Sequence, residues 1–175
     1  MANRMIGQIN SSNIYGAKVL LGEYAYCEEQ LRSLIGDVGD KGHFLVSEMY
    51  RFLAESLVGQ GKYEEALEKA QRSLSLSEET DNQEAIGEAW RLLGVAASCL
   101  GEKILVNTEE LTADDCFQKS LEMNERLGME ANYALAIRNL EHHKRSLGDD
   151  AKADELLAIE SEISNRLEID TAAKC

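Results

Sequence analysis

Three arginines carry the most specific chemistry in this sequence. Each directly follows an apolar residue that opens a helical stripe: Tyr50-Arg51, Trp90-Arg91 and Ile137-Arg138. A guanidinium is a planar fork of donors that suits bidentate binding of carboxylates. One helical turn further along the same face stand Glu55, Val95 and His142, and after another turn Val58, Ser98 and Arg145, with Asn139 beside them. Two uses compete. In one, Arg51, Glu55, Arg91, Val95, Arg138, Asn139, His142 and Arg145 form a surface for a partner segment bearing carboxylates or backbone carbonyls. In the other, the arginines pair within the fold, since Arg51 with Glu55 and Glu88 with Arg91 have helix-pair spacing.

Catalytic constellations are not found. The sequence has no Gly-rich phosphate loop, no His-Glu-x-x-His and no Gly-x-Ser-x-Gly. We therefore expect no enzyme and no cofactor. His142 and His143 are neighbours, and adjacent helical residues point about 100° apart, so they cannot share one helix face as metal ligands. No metal site is expected. Cys27, Cys99, Cys116 and Cys175 lack zinc spacing. The N-terminal run has no long apolar core of a secretion signal, so free thiols in a reducing cytoplasm are the expectation. Cys27 and Cys116 fall within helical patterns and behave there as small apolar residues.

The elements that must position these residues are bounded by composition. The 175-residue chain is long enough for one domain with a sizeable core. Hydrophobic residues make up 44% and charged residues 29%, which fits neither a disordered nor a membrane protein. No run approaches the roughly 18–20 apolar residues of a membrane span. The absence of proline favours uninterrupted helices. Eighteen basic residues against 32 acidic ones give a net charge of −14. That argues against a duplex nucleic-acid binder, which must neutralise phosphates, and opposes docking on anionic lipid.

Gly22, Gly61, Gly101 and Gly148 stand 39, 40 and 47 residues apart, each after an apolar-periodic segment. Tyr50, Leu53, Ala54 and Leu57 fall at i, i+3, i+4 and i+7, as do Trp90, Leu93, Gly94 and Ala97. The small residue, Ala54 or Gly94, marks a close helix contact. Ala66, Ala70, Ser73 and Leu74 form the stripe of a second helix, and Ala113, Phe117, Ser120 and Leu121 repeat it. A unit of 40 residues recurs, with seven extra residues between Gly101 and Ala113.

The segment Tyr50-x-x-Leu53-Ala54-x-x-Leu57-x-x-x-Gly61-x-Tyr63-x-x-Ala66 resembles the tetratricopeptide repeat, and so does Trp90-x-x-Leu93-Gly94 with Ala113-x-x-x-Phe117-x-x-Ser120. The 40-residue unit is similar to the longer variant in kinesin light chains and in bacterial signalling and regulatory proteins. The resemblance covers residues 43–168 well and 5–36 loosely. It implies an all-α, right-handed solenoid of about four antiparallel hairpins, at 5–36, 43–79, 82–128 and 130–168, with a tail at 169–175. It also implies that first helices line an inner groove, which would set the three arginines in a row. The implied function is a scaffold that holds a protein or peptide partner, as part of a signalling or regulatory system. A self-associating unit, such as a homodimer stacking its incomplete end repeats, is the alternative.

The insertion, residues 102–108, carries Ile104, Leu105 and Val106. Either these form an exposed apolar patch, or they lengthen the preceding helix and pack on the neighbouring repeat. The ends depart from the pattern: Cys27 stands where alanine is usual, and Glu141 occupies the small position of the last hairpin. Asp81-x-x-Glu84 and Thr112-x-x-Asp115 are capping-box-like, with a helix start near Thr108 as the alternative for the second. Gly128 suits a left-handed helix stop.

Overall fold

The apolar stripes fold as helices, and the turns between them fall mostly at the recurring glycines. The structure is a computed structural model that describes residues 14–39 and 44–172. Its helices are α1 (14–20), α2 (Tyr24–Val38), α3 (Phe44–Gly59), α4 (Tyr63–Glu79), α5 (Gln83–Leu100), α6 (Ala113–Leu127), α7 (Glu130–Ser146) and α8 (Asp150–Ala172). Between α5 and α6 lie two short strands, β1 (Ile104–Val106) and β2 (Glu109–Leu111). Among the described residues the fold is otherwise all-helical. From α2 to α8 each helix packs on the next in chain order; α3 also touches α5, and α5 touches α7.

Most of the turns share one hydrogen-bond pattern. After α3, α6 and α7 the amide that follows a left-handed residue donates back to the carbonyl of Leu57, Asn124 or Lys144, which closes a Schellman-type stop. The left-handed residue is Gly61, Gly128 or Gly148. At the α4–α5 turn Asp81 takes the position at φ 52°, where a short polar side chain is tolerated. The N-cap of α5 is therefore Asn82, whose side chain accepts from the Ala85 amide, and not Asp81. Thr112 and Asp115 do form a reciprocal capping box, and α6 starts at Ala113 rather than near Thr108. At the C-terminal end α8 stays helical through Ala172, into the segment expected to be a tail. No glycine or proline follows Asp150 to stop it. Residues 5–13, 40–43 and 173–175 lie outside the described residues, and with them the outer part of the first hairpin and Cys175.

Helix contacts depend on small residues where they were expected. A Cβ built on Gly94 would stand 2.8 Å from the buried ring of Phe117 on α6, closer than real side-chain contacts. Ala54 is fully buried in the same core. This core joins α3, α4, α5 and α6 through Ala54, Leu74, Leu92, Leu93 and Phe117.

The insertion neither lengthens α5 nor forms a sticky patch. Gly101 adopts φ 71° and ends α5, after which β1 and β2 pair antiparallel, with Ile104 opposite Leu111 and Val106 opposite Glu109. The two connecting residues, Asn107 and Thr108, have φ 48° and 73°, as a type I′ hairpin requires. Strand alternation then sends Ile104 and Val106 into the core at 3% and 4% exposure, leaving Leu105 outside at 62%. Burying the two side chains contributes about 1.5–3 kcal/mol each. Gln71 of α4 donates to the Leu105 carbonyl at 2.8 Å and holds the hairpin down.

Candidate functional site

The Glu-x-x-Arg spacing occurs at Glu48–Arg51 on α3 and again 40 residues later at Glu88–Arg91 on α5. Residues three apart share a helix face, so each arginine meets its own carboxylate. Arg51 reaches Glu48 at 2.6 Å and lies over the Phe52 ring at 3.9 Å. Arg91 binds Glu88 through Nε at 3.0 Å. Because α3 and α5 touch, Arg91 also reaches Glu55 of α3 at 3.0 Å, and because α5 touches α7 it donates to Asn139 at 3.1 Å. Its side chain is only 5% exposed. Burial alone works against the charged guanidinium, yet Glu88 and Glu55 together outweigh it and hold its pKa above the usual arginine value.

Two carboxylate oxygens in this network are left short of donors. The Oε2 of Glu55 has Arg51 at 3.7 Å, beyond hydrogen-bond length. The Oε1 of Glu88 is buried with no hydrogen-bond partner. Three carboxylates, Glu48, Glu55 and Glu88, share two guanidiniums.

Glu55, Arg91 and Asn139 form the polar floor of an open cleft of about 260 Å³. Its walls are mostly apolar: Val19 and Leu20 of α1, Val58 of α3, Val95 of α5 and Leu135 of α7, with Tyr24 at the start of α2 beside them. So α1, α3, α5 and α7 all contribute to one concavity. Of the eight residues singled out in the sequence, Glu55, Arg91, Val95 and Asn139 meet here, and Arg51 adjoins through Glu55.

The other three do not. Arg138 stays 53% exposed and binds Glu160 of α8, whereas Arg91 is buried and bound to Glu88 and Glu55. The cause is local: Leu135 stands where Glu48 and Glu88 stand in the earlier units, and α8 supplies the carboxylate instead. Arg145 pairs with Glu141 at 2.7 Å and Asp154 at 3.0 Å. His142 also faces Glu141, at 3.0 Å. Glu141 is buried, and Arg145 neutralises it there. Sequence reasoning missed Val19, Leu20 and Leu135 as walls. Leu135 could have been found by aligning it with Glu88, 47 residues earlier.

A second polar pair links α5 and α7. Ser98 Oγ lies 2.7 Å from His143 Nδ1, and burial, partly opposed by Asp114, pushes the imidazole pKa below its usual value. A hydroxyl on a neutral imidazole is the first half of a nucleophile–base pair. The third group is out of place, since Asp114 stands 3.9 Å from Nε2 and binds Lys144 at 2.7 Å. We read Ser98–His143 as a strut. The thiols of Cys27 and Cys116 are fully buried; burial raises both pKa values, Cys116 to about 12, so neither is a reactive nucleophile. Among the described residues no His, Cys, Asp and Glu cluster could hold a metal ion, and no helix is long and apolar enough to cross a membrane.

The chain matches no protein-family model and no curated protein sequence.

Proposed function

We propose that the chain is a tetratricopeptide-like, right-handed solenoid that works as a protein-interaction scaffold, holding a segment of a partner protein in the cleft over Arg91. The observation that carries this reading is the cleft itself, to which the first helix of each of four successive hairpins contributes. A concavity with apolar walls and a few fixed polar groups suits a peptide segment better than a flat partner. The 40-residue recurrence of Glu-x-x-Arg and the chain-order packing of the helices support the solenoid. The free thiols Cys27, Cys99 and Cys116 fit a reducing cytoplasm.

The test is partner capture from native lysate by the wild-type chain and by Val95→Trp, which fills the cleft without changing charge. Partners retained by the wild type and lost by the variant, with helicity unchanged by circular dichroism, support the reading. Equal capture by both overturns it.

Self-association is a second reading, favoured by Leu20 and Leu21, which are 85% and 75% exposed at the α1–α2 turn. Sedimentation of the chain alone separates the two. A concentration-dependent dimer lost on Leu21→Ser selects assembly; a monomer selects the scaffold.

A further inference from the structure

We propose that the cleft selects a partner segment presenting a lysine or arginine beside an aliphatic side chain, so that the cation seats on Glu55. This rests on the reading of the cleft as the binding site and names the chemistry it takes.

Charge is the first ground. The arginines that nominate this face for an acidic ligand are already committed: Arg91 to Glu88, Glu55 and Asn139, and Arg51 to Glu48. An incoming carboxylate would face Glu55, the carboxylate that lines the cleft, and find both guanidiniums already paired. An incoming cation finds the opposite. Glu55 lines the cleft, and its Oε2 has only the 3.7 Å ionic contact with Arg51. The chain as a whole, at −14, attracts basic segments from a distance.

Hydrogen bonding is the second, independent ground. The terminal nitrogen of Arg91 is shared between Glu55 and Glu88, each at 3.0 Å, while Glu88 Oε1 remains buried without a partner. A buried acceptor without a donor is costly. When a partner's cation takes over Glu55, the Arg91 fork is free to turn wholly onto Glu88 and to bond both of its oxygens. Binding of a cation thus gives Glu88 Oε1 the donor it lacks, and binding of an anion does not. Beside that position Val58, Val95 and Leu135 present aliphatic surface, which suits a Leu or Val next to the basic residue.

The experiment uses three synthetic amphipathic peptides with identical Leu and Ala content and Lys, Gln or Glu at one central position. Their affinities for the full chain are measured by fluorescence anisotropy at about 0.15 M salt, where long-range attraction is screened. The Lys peptide should bind about tenfold more tightly than the Gln peptide, and the Glu peptide most weakly. Glu55→Gln, which keeps an acceptor for Arg91, should reduce the Lys preference to less than about twofold. Glu122→Gln, an exposed change on α6, should leave it intact. The comparison on the wild-type chain needs no variant to fold. If Val95→Trp blocks binding but the Gln or Glu peptide binds the wild type as tightly as the Lys peptide, the cleft stands and the cation inference is overturned. A Lys preference that survives Glu55→Gln overturns it as well. If Val95→Trp leaves Lys-peptide binding unchanged, or no peptide binds the wild type, the cleft reading itself fails.

Discussion

Replacing Arg91 by methionine tests whether the conspicuous arginine is scaffold. Arg91 is 5% exposed and serves Glu88, Glu55 and Asn139 on three different helices. Methionine keeps much of the side chain's length and removes the charge. Breaking a buried pair by deleting one partner typically costs about 3–5 kcal/mol, because an uncompensated charge stays behind. For a chain of this size that is a fall in Tm of about 6–20 °C. The loss has a pH signature. A buried carboxylate stripped of its cation takes up a proton on folding. The folded state then binds more protons than the unfolded one, so the variant's stability falls as pH rises. Relative to wild type, its deficit should be smaller at about pH 5.5 than at about pH 7.5. Urea titrations followed by circular dichroism at the two pH values measure this. Adding Glu88→Leu should return a substantial part of the loss, since an apolar pair replaces an orphaned charge. A loss below about 1 kcal/mol, or one equal at both pH values, refutes the buried-pair argument and returns Arg91 to the free surface.

Three further outcomes follow from the packing. Ile104→Ser and Val106→Ser should each lower stability by about 1.5–3 kcal/mol, whereas Leu105→Ser should stay within about 0.5 kcal/mol; equal effects by thermal melting would show that the hairpin is not seated on the core. Gly94→Ala should destabilise by about 1–3 kcal/mol despite alanine's better helix propensity, because its Cβ meets the Phe117 ring; an unchanged or higher Tm contradicts that close contact. Glu28 bonds Lys62, Gln60 and Arg32, and Lys62 above all draws its pKa from the ordinary 4.5 down to about 2. Its contribution is therefore present above pH 4.5 and lost as pH falls towards 2. Glu28→Gln should remove that part of the wild-type acid sensitivity, and identical acid titrations of the two chains would count against it.

Local signals carried most of the secondary structure. The stripes at Tyr50–Leu57 and Trp90–Ala97, the glycines at 61, 101, 128 and 148, and the Thr112–Asp115 box all act within one or two turns of chain, and they became helices, stops and a cap. The hairpin was not legible: Ile104, Leu105 and Val106 are all apolar, so the sequence carries no period of two, and the alternation of burial appears only where β1 pairs with β2. The α4–α5 cap was misplaced by one residue because Asp81 stands in for the glycine that marks the other stops.

The sequence by itself determined most of the helical segments and most of the turns, and that Arg51 and Arg91 each carry a carboxylate three residues before. Only the tertiary structure decided what those arginines do. Arg91 is settled by Glu55 and Asn139, which lie 36 and 48 residues away along the chain, and Arg138 by Glu160, 22 residues on. Helix periodicity is a short-range property that each segment expresses alone. Ion pairing between helices depends on how neighbouring helices are rotated and how deeply each side chain is buried, and burial sets whether a charge faces a partner or water. The same residue type at equivalent positions of successive units therefore became a buried strut at Arg91 and an exposed tie at Arg138.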